Sequence, residues 1–214
     1  MHLLDELRTH RLLAIVRGPD PDAALAAVLA LAGSGIALIE VSLTGTGALG
    51  TIRRARAELG AGFGLGAGTV RTAEDARAAA DAGAAFLVSP ALTPSLGEAG
   101  RLGLPMLAGA LTPTEVVQAE AAGATAVKLF PASLGGPGYL AALRDPFPGT
   151  AFVPVGGVDA QSAGQYLRHG AVAVGVGSPL LGDAVRGGDL GALRDRVAAF
   201  LAGVADAGAG GAGQ

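Results

Sequence analysis

One side chain in this sequence has no counterpart elsewhere in it. Of the 15 Lys and Arg residues, Lys128 alone is a lysine. Wherever positive charge is all that is needed, the chain uses arginine. A lysine differs because its amine can lose its proton when desolvated and then attack a carbonyl, which a guanidinium does not do at neutral pH. Lys128 stands in Ala126-Val127-Lys128-Leu129-Phe130-Pro131, an apolar, strand-like run where a charged amine is costly. The chemistry this points to is a Schiff-base nucleophile; the plainer alternative is a stray surface lysine.

Three more polar groups sit near the ends of comparable apolar runs: Arg17 after Leu12–Val16, Glu40 within Ile36–Val41, and Thr69 just past Phe63–Ala67. Side chains alternate faces along a strand. Lys128 therefore shares a face with Ala126 and Phe130, Glu40 with Leu38 and Ser42, Arg17 with Ile15, and Thr69 with Ala67. If those faces point inward, the four polar groups converge on one rim. Glu40 is then the candidate proton carrier. The plainer readings are an ion pair between Glu40 and Arg17, and Thr69 as the cap of a helix beginning near Thr72. Histidine is a weak competitor: His2 and His10 are N-terminal, and His169 falls at the end of the helix before the eighth run, so at the opposite end of the barrel. There is no cysteine, and no set of histidines and carboxylates has metal-ligand spacing, so neither a metal nor a cofactor is expected.

The elements that must hold these groups follow a regular beat. Apolar runs end near residues 17, 41, 67, 88, 108, 129, 155 and 176, with alanine-rich helical segments between them. Continuous apolar runs are the mark of parallel strands buried on both faces. Eight βα units at a pitch of about 20–26 residues predict a single-domain (β/α)8 barrel over residues 1–204, with a short N-terminal helix at 2–10. An open doubly wound sheet is the alternative. Asp20 or Asp22 caps the helix that Gly33-Ser34-Gly35 ends. The Gly/Ala-rich residues 205–214 read as a disordered tail.

Two glycine-rich turns point to an anion. The seventh run ends in Val155-Gly156-Gly157-Val158 and the eighth in Gly175-Val176-Gly177-Ser178. In barrels the loops after strands seven and eight often hold phosphate, because glycines let backbone N–H groups come close to its oxygens and a serine adds a donor. Gly64-Leu65-Gly66-Ala67-Gly68 lacks the third glycine of a dinucleotide fingerprint.

Composition limits the remaining possibilities. With 50% hydrophobic and 15% charged residues and a net charge of −3, the chain gives no reason to expect nucleic acid or a membrane surface as partner. The uncharged stretch Ala23–Ile39 is broken by Gly33-Ser34-Gly35 and reads as helix plus strand, not as a membrane span. The start lacks the pattern of a signal peptide, and a cytoplasmic location is expected.

Over nearly its whole length the sequence resembles the 2-keto-3-deoxy-6-phosphogluconate aldolases and their close relatives. The resemblance is carried by Ala14-Ile15-Val16-Arg17-Gly18, Ile39-Glu40-Val41, Gly66-Ala67-Gly68-Thr69-Val70, Val88-Ser89-Pro90, Lys128-Leu129-Phe130-Pro131 and Val155-Gly156-Gly157-Val158. It implies a metal-free (β/α)8 barrel, usually a homotrimer, that cleaves a phosphorylated keto acid to pyruvate and glyceraldehyde 3-phosphate. In that family the lysine matching Lys128 forms the Schiff base and the glutamate matching Glu40 moves protons. Thr69 and Pro90 match residues lining the keto-acid pocket, and Gly156, Gly157 and Ser178 match the phosphate site. Phe130 and Val155 are assigned to the keto-acid side and Gly177 to the phosphate. Two positions depart from the common pattern. Many members carry arginine where this chain has Thr44, so Arg17 is expected to hold the substrate carboxylate. The gluconate enzymes tend to have threonine where this chain has Val155, which resembles the galactonate relatives. Main activity on the galactonate epimer or on 4-hydroxy-2-oxoglutarate is therefore an alternative. A non-covalent phosphate-binding isomerase or synthase, or a sugar-phosphate sensor, would use Lys128 only as a cation or not at all.

Overall fold

Strands this apolar cannot face water on either side, and the chain solves the problem by closing them into a ring. A computed structural model describes residues 2–209. Eight strands alternate with helices: β1 Leu12–Val16, β2 Leu38–Ser42, β3 Gly64–Gly68, β4 Leu87–Val88, β5 Met106–Ala110, β6 Ala126–Leu129, β7 Phe152–Pro154 and β8 Val174–Val176. All neighbouring pairs run parallel, in the order β7-β6-β5-β4-β3-β2-β1-β8. The ring closes where Val155 bridges Gly175 and the Val172 N–H donates to the Phe152 carbonyl at 3.0 Å. This is the (β/α)8 barrel that the spacing predicts.

The helices are α1 Leu3–His10, α2 Pro21–Gly33, α3 Ala48–Leu59, α4 Ala73–Asp81, α5 Ser95–Leu102, α6 Pro113–Ala121, α7 Gly136–Arg144, α8 Ala160–Arg168, α9 Ser178–Leu181 and α10 Leu190–Ala209. Several begin at a side-chain cap just past a strand end. Asp20 accepts from the N–H groups of Asp22 and Ala23, and Thr72, Thr112 and Asp159 form capping boxes with Asp75, Glu115 and Ser162. Such caps typically contribute about 1 kcal/mol each. Their effect here is to end each loop at a fixed residue, so the short segments carrying site residues have little slack.

Strand alternation divides the apolar side chains into two layers. Val127 and Leu129 of β6, with Leu12, Ala14 and Val16 of β1, pack outward against the helices. Ala126, Leu13, Leu38, Phe86, Val88, Leu107 and Val153 fill the interior. Leu3 and Leu7 of α1 join that interior cluster and close the amino-terminal end of the barrel. Truncating a buried leucine such as Leu7 to alanine costs about 2–5 kcal/mol in proteins generally.

Residues 205–209 do not form a disordered tail. They continue α10, with Val204 and Ala207 buried, and Ala207 lies over Gly164 of α8, close enough to touch a Cβ added there. Alanine is the best helix former, and a packed face outweighs the glycines. The rest of that tail, 210–214, lies outside the described residues.

Candidate active site

At the carboxyl ends of the strands a cavity of about 580 Å³ opens, and every site residue expected from the sequence lines it. Lys128 enters from β6, where the ladder sets it between Gly109 of β5 and Val153 of β7. It is only 5% exposed, and its Nζ lies 5.2 Å from the centre of the Phe130 ring, within range of a cation–π attraction. Gly109 has no Cβ, and the backbone of Pro90 occupies the place one would take. That exchange is how Pro90 reaches the wall beside the lysine.

Glu40 faces inward from β2 between Ile15 of β1 and Gly66 of β3. It is 1% exposed, and its Oε2 has no hydrogen-bond partner among the described residues. Burial pushes its pKa up from the ordinary carboxylate range, and the nearby charge of Lys128 opposes that shift in part. A Cβ built on Gly68 would land on the Glu40 carboxylate, so β3 needs glycine there to admit the acid. The ion pair with Arg17 considered from the sequence does not form: the only salt bridges among the described residues join other side chains, and Arg17 is exposed on the cavity wall.

Thr69 reaches the cavity by a route that alternation did not predict. Ala67 faces outward, in the layer under the helices, while Gly66 and Gly68 face the interior side chains of Phe86 and Glu40. Regular extension would point Thr69 outward with Ala67. Instead its φ is 57°, in the left-handed region that β-branched residues rarely enter. Its hydroxyl turns to Ser42 Oγ at 2.8 Å, and Ser42 Oγ also meets Thr44 Oγ1 at 2.9 Å. Thr69 caps no helix; Thr72 caps α4.

The far wall is made of backbone. Gly156 and Gly157 have φ of 92° and 80°, conformations that suit glycine. A Cβ on Gly157 would sit 2.6 Å from that of Ser133. Among the described residues, none of the N–H groups of Gly156, Gly157, Gly177 and Ser178 donates to a backbone carbonyl. They remain available to an anion. Val155 lies in the same wall, with its Cγ2 filling the room that a side chain on Gly175 would need.

Two lining residues with polar side chains, Ser42 and Arg186, escaped the sequence reading. Ser42 appeared there only as a strand companion of Glu40. Arg186 lies in a short 3-10 turn after α9, and it brings a second exposed cation to the cavity. Its signal in the sequence is weak, because no strand end or periodic face marks it. Among the described residues no group of three or more His, Asp or Glu side chains is placed to hold a metal ion.

The model of the KDPG and KHG aldolases matches residues 3–195. The chain belongs to that family. The aldolase is 37% identical over 193 residues to a probable 2-dehydro-3-deoxy-6-phosphogalactonate aldolase of Rhizobium meliloti, covering 89% of this chain and 90% of the relative. It superposes on a solved native KDPGal structure with a TM-score of 0.87 at 32% identity, covering 92% of this chain and 96% of that one. It also matches the KDPG aldolase of Legionella pneumophila, solved with pyruvate captured as a covalent carbinolamine, with a TM-score of 0.82, 25% identity and coverage of 92% and 95%. As an aldolase it is a lyase. No helix among the described residues is long and apolar enough to cross a membrane.

Proposed function

We propose that this aldolase cleaves 2-dehydro-3-deoxy-6-phosphogluconate to pyruvate and glyceraldehyde 3-phosphate through a Schiff base on Lys128. The observation that carries the proposal is the sole lysine, nearly buried in the cavity and accompanied by an unpartnered buried Glu40. The captured carbinolamine of the Legionella relative supports a covalent step. Lys128 Nζ adds to the C2 ketone, and loss of water gives a protonated imine. Glu40 accepts the C4 hydroxyl proton, directly or through water, as the C3–C4 bond breaks. The bonding pair moves into an enamine and the aldehyde leaves. Protonation at C3 and addition of water release pyruvate and restore the amine. A raised pKa suits this task, since an acid–base group works best when its pKa approaches the operating pH.

Arg17 is assigned the substrate carboxylate, with Thr44, Thr69, Pro90, Phe130 and Val155 around the keto acid. Gly156, Gly157, Gly177 and Ser178 are assigned the phosphate, which their free N–H groups support. A second substrate is favoured by two observations. Val155 presents no hydroxyl, and both the Rhizobium relative and the KDPGal structure carry the galactonate name. We therefore assign cleavage of both C4 epimers to this site. A homotrimer belongs to the same reading, supported by the exposed apolar side chains of Leu102, Val117 and Leu134. So does a cytoplasmic location, since a phosphorylated sugar acid does not cross membranes unaided. The deciding experiment is borohydride reduction in the presence of pyruvate, followed by peptide mass spectrometry. A reduced adduct on Lys128 is expected; its absence, or an adduct confined to the N-terminal amine, removes the covalent mechanism.

A further inference from the structure

We infer that Ser42 is the positioning residue of the keto-acid half of the cavity, tying Thr44 and Thr69 into one hydroxyl chain that meets the substrate. The inference rests on the aldolase reading above. Ser42 is 2% exposed and lies two residues beyond Glu40 on the inward face of β2. Its Oγ stands 2.9 Å from Thr44 Oγ1 and 2.8 Å from Thr69 Oγ1. Thr44 follows β2 and Thr69 follows β3, so a single buried side chain joins two loops of the rim. Both threonines line the cavity.

Proton counting says what the chain offers. Each hydroxyl carries one proton and can accept through its lone pairs. Three hydroxyls share two bonds, so one O–H remains in every arrangement. When both bonds run toward Thr44, the free donor is on Thr44; when both run toward Thr69, it is on Thr69. Rotation about the three C–O bonds exchanges these states without moving a heavy atom. A donor that can change ends in this way can follow an acceptor whose carbon turns from planar ketone to tetrahedral carbinolamine.

Thr69 shows why the position needs holding. Its backbone sits at φ 57°, and such outliers persist where surrounding contacts fix them. The main chain on either side is pinned by Leu43 N–H to the Gly68 carbonyl at 2.8 Å and Val70 N–H to the Val88 carbonyl at 3.0 Å. The side chain is held by Ser42. Without that hydroxyl, both threonines are free to rotate and the donor loses its fixed place.

The test measures deuterium exchange at the pyruvate methyl group for wild type, Ser42→Ala, Ser42→Thr and Thr44→Val, after borohydride trapping on the wild type. Ser42→Ala is expected to raise KM for pyruvate about fivefold, the scale of one net hydrogen bond, while kcat stays within about twofold. Ser42→Thr restores KM. The acidic limb of the pH profile, set by Glu40, stays in place. Thr44→Val removes one end of the chain and raises KM by no more than Ser42→Ala does, and adding it to Ser42→Ala costs nothing further, because residues in one network do not act additively. An unchanged KM in Ser42→Ala, an equal loss in Ser42→Ala and Ser42→Thr, or additive losses would overturn the inference with the aldolase reading intact. A wild type that forms no adduct on Lys128 would remove that reading and this inference together.

Discussion

The two walls of the cavity are built by opposite means. The wall from β1, β2, β3 and β6 is made of side chains: Arg17, Glu40, the Ser42 hydroxyl group and Lys128, with the acid and the amine almost wholly buried. The wall after β7 and β8 is made of main chain, with glycines at positive φ and N–H groups left open. A side-chain wall carries titratable groups and is broken by removing atoms. A main-chain wall carries fixed dipoles and is broken by adding them. The difference predicts which half of the reaction each variant affects.

The largest effect falls on the side-chain wall. Lys128→Arg keeps the charge and removes the proposed nucleophile, so cleavage, pyruvate exchange and the borohydride adduct should all drop to background. Glu40→Gln comes next: pyruvate still forms the adduct, but its methyl protons exchange at least about a hundredfold more slowly, within the usual range of acid–base catalysis. An undiminished rate, followed by NMR, would return Glu40 to a structural role.

The same variant has a stability signature. Burial raises the Glu40 pKa above its unfolded value, so the folded state holds a proton that the unfolded state has lost. Stability from this group is complete below the unfolded pKa and declines as pH climbs through the folded one. Glu40→Gln has no such titration. Its melting temperature should match the wild type in acid and exceed it toward neutral pH.

The main-chain wall should respond the other way. Gly157→Ala puts a Cβ at a positive φ and against Ser133, so it should raise KM for the phosphorylated substrate about tenfold through backbone strain of about 1–2 kcal/mol. Pyruvate exchange, which involves no phosphate, should keep its rate; a matching loss there would erase the division between the walls. The smallest effect is on Val155, whose side chain lies in the main-chain wall. Val155→Thr should shift the ratio of kcat/KM toward the gluconate epimer about fivefold, the worth of one net hydrogen bond of about 1 kcal/mol. A wild type already preferring gluconate by several orders of magnitude would place discrimination elsewhere.

What could be read in advance divides along similar lines. The positions of the strands were legible because buried parallel strands have to be apolar throughout, and alternation then oriented Glu40 and Lys128 correctly. Alternation failed at β3. Gly66 and Gly68 leave no side chain to show which face is inward, and the turn at Thr69 lies in a dihedral that no residue type announces. Ser42 went unremarked because its role exists only once β2 and β3 stand side by side. Arg186 is placed by the packing of a loop, with Val185 lying where a side chain on Gly18 would go. The end of α10 was misread because its alanines and glycines resemble a linker until α8 is there to cover Ala207.

The helix at the start of the chain has a kinetic consequence. With Leu3 and Leu7 seated in the barrel floor, the vessel has a stopper at its base, and the cavity that Lys128 lines opens at the opposite end. For the proposed cleavage this forms a queue. Pyruvate, bonded to the lysine at the bottom, waits behind the aldehyde at the rim, so the order of departure is set by depth in the vessel. A product that lingers at the mouth would detain the one beneath it.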